Sequence, residues 1–166
     1  MGQITVAGKP VEIEGELPLV GSQAPEFLLV DSKLNDIGLS KFKQKRKLLS
    51  INPSLDTEVC LKTIVHFDKL CGAKKDVVVL NISSDLPFAQ QRICREHQLR
   101  NIINLSVMRS SSFGTDYGVL MKDGKLKGLL ARAVLILDEN NKVVYRELVN
   151  ELTEEPDYKA SMEVLC

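Results

Sequence analysis

Leu48 to Cys60, LLSINPSLDTEVC, passes from one kind of structure to another in thirteen residues. Its opening is an apolar run of strand type, Pro53 starts a loop, and a cysteine follows within the first turn of a predicted helix. A thiol is only a few per cent thiolate at neutral pH and the thiolate is the nucleophile, so a reactive cysteine needs surroundings that favour its charge. A helix N-terminus supplies them. Either Asp56 or Thr57 serves as N-cap, which puts Cys60 among residues whose backbone N–H groups lack a helical acceptor, at the positive end of the helix dipole. The Thr57 hydroxyl, three residues earlier, is placed to face the sulfur, orient it and donate to a second reactant. Pro53 stiffens the loop and removes a competing donor. On these residues alone Cys60 stays open between a nucleophile and a buried small hydrophobe, the commoner fate of a free cysteine.

Working outward, Leu61, Ile64, Val65 and Leu70 recur at helical spacing, and Gly72 is placed to end that helix. Residues 76–82, DVVVLNI, read as a buried strand. Ser83-Ser84-Asp85 reads as the cap of a helix with Pro87 in its first turn and Cys94 in its body, ending near Gln98. Residues 102–107 predict another strand and 110–117 a short helix. The segments 129–137 and 142–149 flank Asp138-Glu139-Asn140-Asn141 as a hairpin, and Pro156 opens a last helix with Tyr158, Met162 and Leu165 on one face. Upstream, residues 3–6 and 10–14 predict a hairpin around Ala7-Gly8-Lys9, residues 27–30 a strand and 39–42 one helical turn. Strands alternating with helices, then a hairpin and a closing helix, predict an α/β fold: a central mixed β-sheet covered by helices on both faces. No linker or repeat interrupts residues 1–166, so one domain is expected.

Lys plus Arg and Asp plus Glu each total 22, so nothing in the overall charge points to nucleic acid or a charged membrane surface. The five cations from Lys41 to Lys47 read as a solvated loop entering a buried strand rather than a nucleic-acid patch. The opening MGQITVAGKPVEIEG has no leader pattern and no run reaches membrane-spanning length, so cytoplasm is the expected location, with no membrane partner. Four cysteines, at 60, 71, 94 and 166, with no CxxC among them, suit neither a secreted disulfide scaffold nor a zinc site. His66 and His97 read as surface histidines, because nothing singles out a partner for a Cys-His hydrolase.

Pro53, Thr57 and Cys60 spell Pro-x-x-x-Thr-x-x-Cys, which resembles the signature of the peroxiredoxins. NPSLDTEVC, SSDLPFAQQRIC around Cys94, LKGLLARAVLILDE around Arg132 and EEPDY near the end look like the atypical two-cysteine, thiol peroxidase branch of that family. The resemblance covers nearly the whole chain. It implies a thioredoxin-like fold, a homodimer, no metal, haem or flavin, and thioredoxin as reductant. Substrates would be hydrogen peroxide and alkyl or lipid hydroperoxides.

The resemblance also implies roles. Cys60 is the peroxidatic nucleophile, Thr57 and Arg132 hold the peroxide, Pro53 shields the site, and Cys94 resolves the Cys60 sulfenic acid as a disulfide within the chain. Arg132 lies in an apolar run, where a cation is costly unless paired. Read alone it is a strand-end arginine in an ion pair or in water; the resemblance puts its guanidinium beside Cys60. A disulfide needs Cα atoms roughly 4.4 to 6.8 Å apart, yet one thiol starts a helix and the other lies inside a second. Local unwinding during the cycle is therefore expected, with the reduced protein holding the two apart. Cys71, three turns along, cannot reach Cys60 on an intact helix. Cys166, the last residue, is expected to be mobile and open to intermolecular pairing. Neither receives a role. Glu58 departs from the small residue common in related sequences; its carboxylate favours the helix start but opposes a nearby thiolate. Two other classes remain: a non-catalytic peroxide-sensing switch, whose disulfide alters a binding surface, and a thiol-disulfide oxidoreductase, disfavoured by the lack of CxxC.

Overall fold

The computed structural model describes residues 2–165; Met1 and Cys166, and with it the expectation of a pairing-prone terminus, lie outside the described residues. The N-terminal hairpin joins β1 (Gln3–Val6) to β2 (Lys9–Glu14) through Ala7 and Gly8, whose φ values of 50° and 81° suit a two-residue turn between twisted strands. Two short strands, β3 (Leu29–Val30) and β4 (Asp36–Ile37), precede a 3₁₀ turn over Leu39–Phe42. Then come β5 (Arg46–Ile51), α1 (Glu58–Cys71), β6 (Val77–Ser83), α2 (Pro87–Glu96) and β7 (Ile102–Ser106). The chain closes with α3 (Phe113–Asp116), β8 (Leu120–Met121), β9 (Ala133–Leu137), β10 (Val143–Leu148) and α4 (Tyr158–Leu165).

The central sheet has the order β10-β9-β5-β6-β7-β3-β4. β5, β6 and β7 run parallel, and β9 lies antiparallel to β5, so the sheet is mixed as expected. Its inner strands β5, β6 and β9 are buried on both sides, and alternate residues feed two cores. Leu48, Val79, Val134 and Ile136 pack with Ile64 and Phe67 of α1, Ile93 of α2 and Leu165 of α4. Leu49, Leu80, Leu135 and Leu137 face the other way, onto the N-terminal hairpin, the 3₁₀ turn and α3. The three longer helices therefore share one face, and the second face is covered by a three-stranded sheet, β1-β2-β8, together with the short helical turns. No helix among the described residues is long and apolar enough to cross a membrane.

Local differences from the sequence reading have physical causes. The buried face of α1 is Cys60, Thr63, Ile64, Phe67 and Cys71, whereas Leu70 is exposed. Gly72 follows α1 in a right-handed conformation, so it is not a left-handed cap; a Cβ there would lie 2.5 Å from Asn101 Nδ2, and close approach is what requires glycine. The basic run is only partly solvated. Lys41, Lys43 and Lys45 are exposed, but Arg46 donates to the Val164 and Leu165 carbonyls at the end of α4. Lys47 is fully buried on β5, donating from Nζ to the Asp138 and Glu139 carbonyls of the β9–β10 turn, and burial lowers its pKa. The strand expected from residue 129 starts at Ala133, immediately after Arg132.

Candidate active site

β5 ends at Ile51 and Asn52-Pro53 leads out of it; β6 ends at Ser83; Arg132 immediately precedes β9, whose Ala133 pairs with Ile51. These segments meet at the carboxyl ends of the parallel strands, where open α/β sheets place their ligands. Pro53 is buried. Thr57 is the N-cap of α1 by backbone conformation, with φ −120° and ψ 153°, and Cys60 is the third helical residue, 1% exposed. The first helical bond runs from Leu61 N–H to the Thr57 carbonyl, so the backbone N–H of Cys60 lies in the positive first turn.

Arg132 reaches this sulfur from the start of β9. Its Nη1 donates to Cys60 Sγ at 3.2 Å, while Nε and Nη2 donate to the Leu152 carbonyl at 3.2 and 2.8 Å. The guanidinium is thus aimed by a fork on one backbone oxygen. Arg132 is 3% exposed, and among the described residues no carboxylate forms an ion pair with it. A buried cation lacking a counter-charge is costly. The sulfur of Cys60 is the side-chain atom in contact with it.

Leu152 is itself held by the N-terminal hairpin. Its N–H donates to the Thr5 carbonyl at 2.9 Å, and Thr5 N–H donates to the Asn150 carbonyl at 2.7 Å. Between them, the Glu151 carboxylate accepts from the Ala7, Gly8 and Thr153 N–H groups and from the Thr5 and Thr153 hydroxyls. The Thr153 and Gly8 N–H groups hold this carboxyl down at about 2. The arginine's aim therefore depends on a strand at the far end of the chain.

Two expected roles change. The Thr57 hydroxyl donates to the Ser54 carbonyl at 3.0 Å, and Thr57 makes no side-chain cap bond, so its proton is committed and its lone pairs remain as acceptors for a second reactant. Asp85 does not cap α2, whose N-cap is Leu86 without a side-chain bond. Its carboxylate turns to the loop before α1 and accepts from Ser54 Oγ at 2.7 Å, Leu55 N–H at 2.6 Å and Ser83 Oγ at 2.8 Å. It is a brace for the Pro53–Thr57 loop. The sequence offered one signal for this: a proline at the start of α2 already needs no N–H acceptor there, which releases Asp85 for another use.

Cys94 is the eighth residue of α2, buried, and free, as is Cys60. Its Sγ accepts from Asn104 Nδ2 at 3.1 Å. Burial pushes this thiol up from its ordinary value, the Asn104 bond pulls it down by less, and Asp68 adds a further push. Arg132 adjoins β9, whereas Asn104 lies on β7, with β5 and β6 between them, a span of about 14 Å at ~4.8 Å per strand. The two sulfurs thus have separate partners over different strands, each on an intact helix. Cys71 is buried in the core under α1. Glu58 is exposed, His97 is exposed, and His66 stacks on Tyr158 with ring centres 4.0 Å apart. Sequence reasoning missed Leu152, Glu151, the role of Asp85 and Asn104; the last was signalled by an amide standing alone in the apolar run IINLS.

A family model described as Redoxin matches residues 19–162. A thiol peroxidase of Vibrio cholerae is 43% identical over 155 residues, covering 93% of this chain and 94% of that protein. Among solved structures, a peroxiredoxin-like protein from Aquifex aeolicus superposes with a TM-score of 0.92 at 37% identity, covering 98% of this chain and 95% of the other. A thiol peroxidase from Chromobacterium violaceum also gives 0.92, at 27% identity, covering 98% and 94%.

Proposed function

The chain belongs to the Redoxin family, and from that premise we propose that it is a thiol-dependent peroxidase of the atypical two-cysteine peroxiredoxin type, a single domain over residues 1–166. The observation that carries the residue assignment is the buried Arg132 guanidinium on Cys60 Sγ, at a helix N-terminus, with no carboxylate among the described residues paired with it. The Cys60 thiolate attacks the terminal oxygen of a hydroperoxide. The S–O bond forms as the O–O bond breaks, leaving Cys60 sulfenic acid and an alkoxide or hydroxide that takes a proton and departs as alcohol or water. The Thr57 oxygen accepts from the hydroperoxide O–H. Nη1 and Nη2 of Arg132 each keep one N–H beyond those already engaged, and these meet the oxygens as they gain charge. Pro53 keeps the sulfur's surroundings dry, and Asp85 holds the loop that carries Pro53 and Thr57.

Cys94 then resolves the sulfenic acid. A disulfide needs Cα atoms roughly 4.4 to 6.8 Å apart, so α1, α2 or both unwind locally before it closes. Thioredoxin reduces it by exchange. The active unit is a homodimer in the cytoplasm. Alkyl and lipid hydroperoxides are reduced alongside hydrogen peroxide; a lower rate with cumene hydroperoxide than with hydrogen peroxide would remove the preference for bulky substrates. The test is coupled peroxide consumption with thioredoxin, its reductase and NADPH. Turnover abolished in Cys60→Ser and limited to about one event in Cys94→Ser is expected for a resolved thiol cycle. A Cys60–Cys94 disulfide without continuous turnover in the wild type would make the switch itself the function.

A further inference from the structure

Three asparagines stand in neighbouring segments of the central sheet, each in an apolar run: Asn52 just beyond β5, Asn81 on β6 and Asn104 on β7. All three are buried. Their amides form a directed chain. Asn52 Nδ2 donates to Asn81 Oδ1 at 2.7 Å, Asn81 Nδ2 to Asn104 Oδ1 at 2.9 Å, and Asn104 Nδ2 to Cys94 Sγ at 3.1 Å. Asn81 and Asn104 each accept at one end and donate at the other, while Asn52 starts the chain as a donor whose buried Oδ1 has no partner among the described residues, so the bonds polarise one another in one direction. One end of the chain adjoins Pro53 and the other is the sulfur of Cys94. Peroxide reduction by Cys60 does not use it.

We propose that this asparagine ladder is the latch that holds Cys94 docked in α2, with Asn104 as the positioning residue, so that breaking the Asn104–Cys94 bond is part of the barrier to disulfide closure. The inference rests on the assignment of Cys94 as resolving thiol. In closure the Cys94 thiol loses its proton and its sulfur attacks the sulfur of Cys60 sulfenic acid; the S–S bond forms, the S–O bond breaks, and the departing hydroxide takes up a proton as water. The attack requires Cys94 to leave its docked place, where Asn104 no longer reaches it. Asn104 therefore stabilises the state before the step and not the transition state, and its removal accelerates the step. Asn81 Nδ2 is orphaned equally before and after undocking, so that cost cancels from the rate.

The experiment is a single turnover of reduced protein with hydrogen peroxide, separating the peroxide-dependent formation of sulfenic acid from the peroxide-independent closure. Asn104→Leu is compared with wild type and with Ile136→Val, which loosens the same core from β9 without touching the ladder. In Asn104→Leu, closure is expected to quicken by about three- to tenfold, the rate equivalent of one hydrogen bond, with the peroxide-dependent phase within about twofold of wild type. The peroxide concentration needed to overoxidise Cys60 should rise by the same factor, since closure competes with a second oxidation. If Asn104→Leu does not fold, Asn104→Ser gives the same comparison with a smaller side chain. Closure that is unchanged or slower, or a closure rate that Ile136→Val raises equally, would overturn the latch. The pH profile of closure should move upward in the variant, because the Asn104 bond holds the docked thiol's pKa down, and a profile that does not move would also overturn the latch. Absence of any Cys60–Cys94 disulfide in the wild type would instead remove the resolving role itself, and the latch with it.

Discussion

Replacing Asp85 by alanine separates a loop brace from a helix cap. The carboxylate takes three hydrogen bonds, from Ser54 Oγ, Leu55 N–H and Ser83 Oγ. Ser54 is half-buried and can turn to water, and Ser83 Oγ keeps a bond from Gln90 Nε2. Leu55 is fully buried, so its N–H would be left without a partner. A bond to a charged acceptor contributes about 1.5 to 3 kcal/mol and an orphaned buried donor costs about 1 to 3 kcal/mol, so the loss should total roughly 3 to 4 kcal/mol. For a chain of this size that lowers Tm by roughly 6 to 16 °C. Asp85→Asn keeps one acceptor oxygen and should lose about half as much. Because the same loop carries Pro53 and Thr57, the second-order rate of Cys60 with peroxide should fall by at least about tenfold in Asp85→Ala, measured by stopped flow. A capping residue behaves otherwise, with a loss of about 1 kcal/mol confined to its helix. Asp85→Ala with a Tm loss of that small size and an unchanged peroxide rate would refute the brace.

Other perturbations test the remaining contacts. Arg132→Lys offers a single ammonium that cannot both fork on Leu152 and reach Cys60, so kcat/KM for peroxide should drop by about a hundredfold or more with the fold intact; a tenfold loss or less would remove the fork from the argument. Glu151 is held at about 2, below the ordinary carboxylate value near 4.3, so its contribution is complete above that value and lost as pH falls towards 2. The Tm difference between wild type and Glu151→Gln should accordingly be present at pH 6 and narrow on acidification through that window; a difference that widens would contradict the sign. Gly118 has φ +64°, and a Cβ there would lie 2.1 Å from the Glu16 carbonyl carbon, so Gly118→Ala should cost more than about 3 kcal/mol or prevent folding. Gly8, at φ +81° with nothing within 4 Å of the same atom, should lose only about 1 kcal/mol as alanine. Equal melting temperatures for those two variants would argue that backbone contact is not what selects glycine at Gly118.

Patterns that repeat along the chain were the legible part. Alternation and helical spacing located every strand of the parallel centre, α1, α2 and the closing hairpin, and the spacing of Pro53, Thr57 and Cys60 singled out the loop that Arg132 meets. What stayed hidden depends on contacts between segments far apart in sequence. Asp85 looks like a cap because a serine-aspartate pair before a proline is what caps look like; only the fold brings it against Leu55, 30 positions away. Lys47 belongs to a run of cations and still lies fully buried, because carbonyls of a distant turn receive its ammonium. The ladder is a matter of register: Asn81 faces Asn104 because β6 and β7 pair residue for residue, which periodicity alone does not fix.

The bond between Thr5 and Glu151 spans 146 positions, and the loop it secures is the one that aims Arg132. On a ribosome Cys60 emerges long before Arg132, and Thr5, already in its hairpin, must wait for residues near 150 before it meets Asn150, Glu151 and Leu152. A nascent chain therefore carries Cys60 through much of its synthesis without its contact to Arg132. On the proposed mechanism, reactivity arrives with the closing of the ends, so a chain that lacks the residues near 150 would be chemically quiet.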